Sequence, residues 1–172
     1  MAISNALLFS TVLGLGTGAV NAQTPPPACD APEYRQFDFW IGEWTVDGGQ
    51  DGTTPVGESS ITRVAKGCAL HENWRSANGG DGHSLNVYDK TRGQWTQFWI
   101  GADGVILHLY GGLVNGAMVL RGSLPGKDGK TQQQRITWTA LDDGRVSQRW
   151  ETSDDDSATW QVSFLGFYRR KP

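Results

Sequence analysis

The sequence predicts an all-β protein. From Gly42 onward the chain breaks into short runs of β-formers separated by Gly, Asp and Asn, at the regular spacing of a sandwich or barrel. No window shows a long 3.6-residue apolar period, and only residues 33–41 suit a helical turn. The composition agrees: 23 Gly and 8 Trp in 172 residues fit a β-protein with many turns. Such a length suits one domain with a real core. With 15 Lys+Arg against 18 Asp+Glu, there is no basic excess for nucleic acid to meet.

The elements follow in chain order. Residues 1–22 read as a secretory signal peptide: an apolar stretch over 6–20, then Val20 and Ala22 where a signal peptidase reads. The stretch is too short and Gly-broken to span a membrane, although no Lys or Arg precedes it. No membrane insertion is expected after cleavage. Residues 23–32 form an extended, Pro-rich arm, and the domain proper is 33–172. Export to the periplasm or medium makes a Cys29–Cys68 disulfide plausible, with two unpaired thiols as the alternative.

Strands are expected near 43–48, 57–66, 69–77, 83–89, 94–100, 105–113, 117–124, 133–141, 145–153 and 159–169. The turns set which side chains share a face. Asn115-Gly116 is a two-residue hairpin turn that pairs Val114 with Ala117 and Leu113 with Met118. Leu109, Leu113, Met118 and Leu120 then share one face, and His108, Tyr110 and Arg121 the other. Asp143-Gly144, read the same way, pairs Leu141 with Val146 and Thr137 with Trp150. Arg135, Thr137, Thr139, Gln148 and Trp150 would lie together. A longer turn over Asp89–Gly93, with Tyr88 opposite Trp95, groups Ser84, Asn86, Tyr88, Trp95, Gln97 and Trp99. A one-residue slip would invert any of these faces.

Two of the faces mix aromatics with hydroxyl, amide and guanidinium groups, the composition of a binding cavity. The alternative is that the Trp residues only fill the core. Three His occur with no metal-pair spacing, so no metal site is expected. No Gly-x-Ser-x-Gly elbow and no Walker loop is present. Asp154-Asp155-Asp156 reads as a solvated hairpin tip. Glu72 is the best acid–base candidate, mid-strand between Leu70 and Trp74 on its own face. A carboxyl beside Trp in a pocket has a raised pKa and moves protons. Arg135 suits a carboxylate or enolate oxygen, and Tyr88 a developing oxyanion. The structural alternative is a buried Glu72–Arg135 or Glu72–Arg149 pair.

Phe37-Asp38-Phe39-Trp40-Ile41-Gly42-Glu43-Trp44 stands before the first strand. Its Gly-x-Trp resembles the opening motif of lipocalins and other calycins. There the Trp plugs one barrel end and a basic residue of the last strand packs on it, a place Arg169 or Arg170 would fill. The fuller pattern resembles the bacterial domain-of-unknown-function 1579 family. It includes Gly67-Cys68 with Glu72-x-Trp74, Ser84-x-Asn86-x-Tyr88-Asp89, Trp95-x-Gln97-x-Trp99 and Arg135-x-x-Trp138-Thr139. Gln148-x-Trp150-Glu151, Trp160 and Tyr168 complete it. The resemblance implies a single up-and-down antiparallel barrel of about ten strands, calycin-like, with a short helical turn before the first strand. It implies no assigned activity. Nitrobindin-like barrels hold haem through one strand His. The hairpin register sets His108 apart from Met118 and Leu120, so no cofactor is expected.

Three functional readings follow. The first is an exported barrel binding a small, partly apolar organic molecule through Trp74, Ser84, Asn86, Tyr88, Gln97, Trp99, Arg135, Gln148 and Trp150. The second is a metal-free isomerase, hydratase or decarboxylase, with Glu72 as acid/base and Arg135 and Tyr88 stabilising an oxyanion. The third is a solid-filled barrel with a structural or envelope-interaction role.

Overall fold

The structure, a computed structural model, describes residues 29–126 and 129–172. The expected signal peptide and most of the Pro-rich arm lie outside the described residues. Among the described residues ten antiparallel strands form a closed up-and-down barrel. They are β1 (Gly42–Gly48), β2 (Thr54–Val64), β3 (Ala69–Ser76), β4 (Asp81–Asp89) and β5 (Gln94–Gly101). There follow β6 (Ile106–Val114), β7 (Ala117–Pro125), β8 (Thr131–Ala140), β9 (Val146–Ser153) and β10 (Gln161–Arg170). Each pairs with the next in sequence, and β10 closes on β1. Each expected run overlaps one strand, with β2, β4 and β8 starting two or three residues earlier than expected. The expected helical turn is two short 3-10 segments, Pro32–Arg35 and Asp38–Trp40.

Strand alternation sorts the barrel into an inner and an outer face. In β4, Gly82, Ser84 and Asn86 are buried, whereas Asp81, His83 and Leu85 are exposed. Two of the three expected registers hold. Val114 opposes Ala117 and Leu113 opposes Met118, with Asn115 and Gly116 both at positive φ, as a type I′ turn needs. Leu109, Met118 and Leu120 are buried inside, and Leu113 is exposed near the hairpin tip. Tyr88 opposes Trp95, with Gly93 left-handed at the end of the turn.

The third register is corrected. Leu141 N–H donates to the Arg145 carbonyl at 2.8 Å, so the loop is Asp142-Asp143-Gly144, three residues long, with Gly144 left-handed. Ala140, not Leu141, opposes Val146. The one-residue slip puts Ile136 opposite Trp150 and Trp138 opposite Gln148. Arg135 and Thr137 face outward with Glu151 and Arg149, not inward with Gln148 and Trp150.

The segment before β1 closes one end of the barrel. Phe37 stacks on Trp40 at 5.0 Å and meets Trp95 and Trp138 edge-on at 5.7 and 5.2 Å. Phe37, Trp40, Trp44 and Trp138 are fully buried. The Arg170 guanidinium lies 4.4 Å over the Trp44 ring and donates to the Ile41 carbonyl at 3.1 Å. Arg169 turns outward instead and pairs with Asp47. The Cys29–Cys68 disulfide ties the segment to the β2–β3 connection. Arg35 reinforces it, donating to the carbonyls of Cys29 at 2.6 Å and Gly67 at 2.9 Å. Arg63 pairs with Asp38 at 2.5 Å.

Two substitutions test this closure, each read by urea denaturation. Cys29→Ser releases a bridge across 39 residues of sequence and is expected to cost about 2–4 kcal/mol. Phe37→Ala opens a hole inside the plug and is expected to cost about 3–5 kcal/mol.

Candidate functional site

The opposite end stays open, and a cavity of about 570 Å³ enters the lumen there. Trp74, Trp99, Leu107, Ile136, Trp150 and Phe164 form its apolar wall. Thr54, Pro55, Ser76, Ala77, Asn78 and Ser163 contribute further lining. Glu72, Gln97, Gln148 and Tyr168 supply the remaining polar groups. No Lys, Arg or His is among the described lining residues.

Glycines let the indoles sit against the wall. A Cβ at Gly82 would lie 2.3 Å from the Trp99 ring, and one at Gly57 would lie 2.7 Å from Trp74. Both rings pack directly on backbone. Trp74 also meets Phe164 edge-on at 6.1 Å. Trp150 is held by its indole N–H, which donates to Gln134 Oε1 at 2.7 Å. A register shift between Val162 and Phe164 leaves Phe164 opposite Trp150.

Glu72 is the one acidic residue in the lining and is 4% exposed. Ser59 donates to its Oε1 at 3.2 Å and Ser84 to its Oε2 at 2.9 Å. Behind Ser84 the donors continue in line. Asn86 Nδ2 donates to Ser84 Oγ at 2.9 Å, and Gln97 Nε2 to Asn86 Oδ1 at 2.8 Å. Burial pushes the Glu72 carboxyl up to about 7, against the two serine hydrogen bonds. Tyr168, buried nearby, donates to Gln148 Oε1. Burial and then the charge of Glu72 raise its hydroxyl well above the usual tyrosine range.

The expected site residues therefore divide. Glu72, Trp74, Gln97, Trp99, Gln148 and Trp150 line one cavity. Ser84 and Asn86 do not line it but hold Glu72 from behind. Tyr88 is at the closed end, edge-on to Tyr34 at 5.4 Å, because β4 runs toward the plug. Arg135 is on the outer wall, 4.1 Å over the Trp160 ring and paired with Glu151 at 2.9 Å. Arg149 pairs with the same carboxylate. Burial opposes the charge on Glu151, yet hydrogen bonds from Arg135 and Arg149 hold its carboxyl below the usual range. Neither arginine partners Glu72, so the expected Glu72–Arg135 or Glu72–Arg149 pair does not form. His71, His83 and His108 also stand on the outer wall, where His71 stacks on His83 and His108 meets Tyr110.

Tyr168, Phe164, Leu107 and Ile136 were not among the expected site residues. The Asp142-Asp143-Gly144 loop would have revealed Ile136 had its length been read as three. Nothing local links Tyr168 to Glu72, since β10 reaches β3 only around the closed sheet.

The raised Glu72 carboxyl makes stability depend on pH. A carboxyl that titrates higher in the folded state holds its proton better there, so its contribution is full below about 4.5 and is lost as pH rises through about 7. Relative to Glu72→Gln, the native chain is expected to lose about 3 kcal/mol between pH 4.5 and pH 8. Urea denaturation of both proteins at the two pH values checks the sign and the size.

No protein-family model matches the chain, and no curated protein matches it either.

Proposed function

We propose that this chain is an exported, calycin-like barrel of the domain-of-unknown-function 1579 type that binds a small, partly apolar organic molecule. The carrying observation is the cavity of about 570 Å³, aromatic along its walls, with polar groups converging in it. That is the size and make-up of small-molecule sites in barrel mouths. The Trp44–Arg170 stack supports the calycin comparison. The disulfide supports export, being a bond that persists in oxidising compartments. Among the described residues no helix is long and apolar enough to cross a membrane. An unfilled lumen weighs against the solid structural barrel.

One observation favours the proton-transfer reading as a second choice. Glu72, with a pKa of about 7, exists in both protonation states near neutrality, as a general acid/base should. Its expected helpers are elsewhere: Arg135 is outside and Tyr88 is in the plugged end. Tyr168 is the phenol that remains in the cavity lining, and it already donates to Gln148.

Native mass spectrometry of protein purified gently from its own host tests the binding reading, which expects a co-purified small molecule. Ile136→Trp should fill the cavity and remove that mass, whereas Arg135→Ala should retain it. Loss on Arg135→Ala in a folded protein, or retention on Ile136→Trp, would move the site away from the lumen.

A further inference from the structure

We infer that the ligand carries a protonated amine, held by the Glu72 carboxylate and the surrounding aromatic rings. This rests on the binding reading above and narrows it to one charge class.

Charge is distributed unevenly between the lumen and the outer wall. The arginines that form ion pairs among the described residues do so outside the lumen, with Asp47, Glu151, Asp38, Asp89 and Asp143. The cavity receives one carboxyl and, among the described lining residues, no cationic side chain. A buried carboxylate without a cation is costly and must find a partner or take up a proton. The partner this chain does not supply is one a ligand can bring.

The hydrogen bonds around Glu72 also have a direction. Gln97 donates to Asn86, Asn86 donates to Ser84, and Ser84 donates to Glu72. Ser59 donates to the other carboxylate oxygen. Apart from a long Asn86 contact to the Leu70 carbonyl at 3.4 Å, these bonds run toward Glu72, an arrangement suited to an ionised acceptor. Hydrogen bonds of this kind hold an anion, and no described lining residue supplies its counter-charge.

The walls fit the same ligand. Trp74, Trp99, Trp150 and Phe164 line the cavity, and indole faces attract ammonium groups. An anionic ligand would meet Glu72 and find no cation, so carboxylates and phosphates are disfavoured. The groups facing Glu72 from neighbouring strands are Ser59, Ser84 and, across the lumen, Tyr168, none of which titrates near neutral pH. Glu72 itself is therefore the group whose proton a bound amine displaces.

Three probes of one shape isolate charge: phenethylamine, 2-phenylethanol and 3-phenylpropionate, titrated calorimetrically into the full chain at pH 7.5. The amine is expected to bind about tenfold or more tighter than the alcohol, and the carboxylate not at all. Glu72→Gln should abolish the preference, bringing the amine down to the affinity that the alcohol shows for the same variant. In the native protein at pH 6.5, amine binding should release protons, seen as a heat that varies with the ionisation enthalpy of the buffer. If Glu72→Gln does not fold, the native protein at pH 5 replaces it, since a protonated Glu72 should shrink the preference for the amine. Equal affinity for amine and alcohol overturns the amine inference and leaves the cavity reading standing. Binding of none of the three overturns both.

Discussion

The aromatic contact among Phe37, Trp40 and Trp138 decides what this barrel is. Ten strands enclose a lumen wider than the wall's own side chains fill. At one end the chain solves this from outside the sheet, laying Phe37 and Trp40 across the opening so that they meet Trp95, Trp138 and Tyr168. The inserted rings provide a core that the strands alone lack. They also set polarity along the axis: whichever end takes the N-terminal segment is shut, and the other is the mouth. The disulfide and the Arg35 hydrogen bonds matter because they keep this short segment, with little helix of its own, in place.

The open end follows a different rule. Trp74 and Trp99 are pressed onto backbone where Gly57 and Gly82 leave no Cβ in the way. Side chains that would fill a solid barrel instead become walls. The same alternation that places these rings inward leaves no choice about Glu72, which shares the parity of Trp74 on β3. Its burial is tolerated because Ser59, Ser84, Asn86 and Gln97 were placed inward by that parity too. A polar chain of this kind is favourable only when its members are satisfied, and the carboxylate charge is the one quantity left uncompensated.

Charge is thus sorted by the wall. Outside, Glu151 sits between Arg135 and Arg149, and Trp160 covers the Arg135 guanidinium. Inside, one acid stands alone among apolar rings. Glu151 is itself buried, and the two arginines supply the charge that its burial requires. The interior acid, in a poorly solvated lumen, has consequences for both titration and recognition.

Much of the architecture was written locally. Each run of β-formers between Gly, Asp and Asn overlaps one strand. Asn115-Gly116 and the Asp89–Gly93 turn determined their registers locally, the second with the Asp89 carboxylate accepting from the backbone of Thr91 and Arg92, and Gly42-x-Trp44 marked the closed end. Glu72, Trp74, Gln97 and Trp99 were legible as residues of one inner face because alternation and the turn registers put them there. Arg135 was misplaced because Asp143-Gly144 reads as a two-residue turn, while the chain forms a three-residue loop with Gly144 left-handed. With a side-chain period of two, one extra loop residue turns a whole strand face over. Tyr88 was misplaced for another reason: parity tells inside from outside but not which end of the lumen a residue occupies. Only closure of β10 onto β1 brought Tyr168 toward Glu72, and only closure showed that no arginine reaches that carboxyl. Local sequence determines turns and alternation because those depend on near neighbours. Which groups face each other across a lumen depends on the circumference and stagger of the whole barrel, and no single segment encodes these.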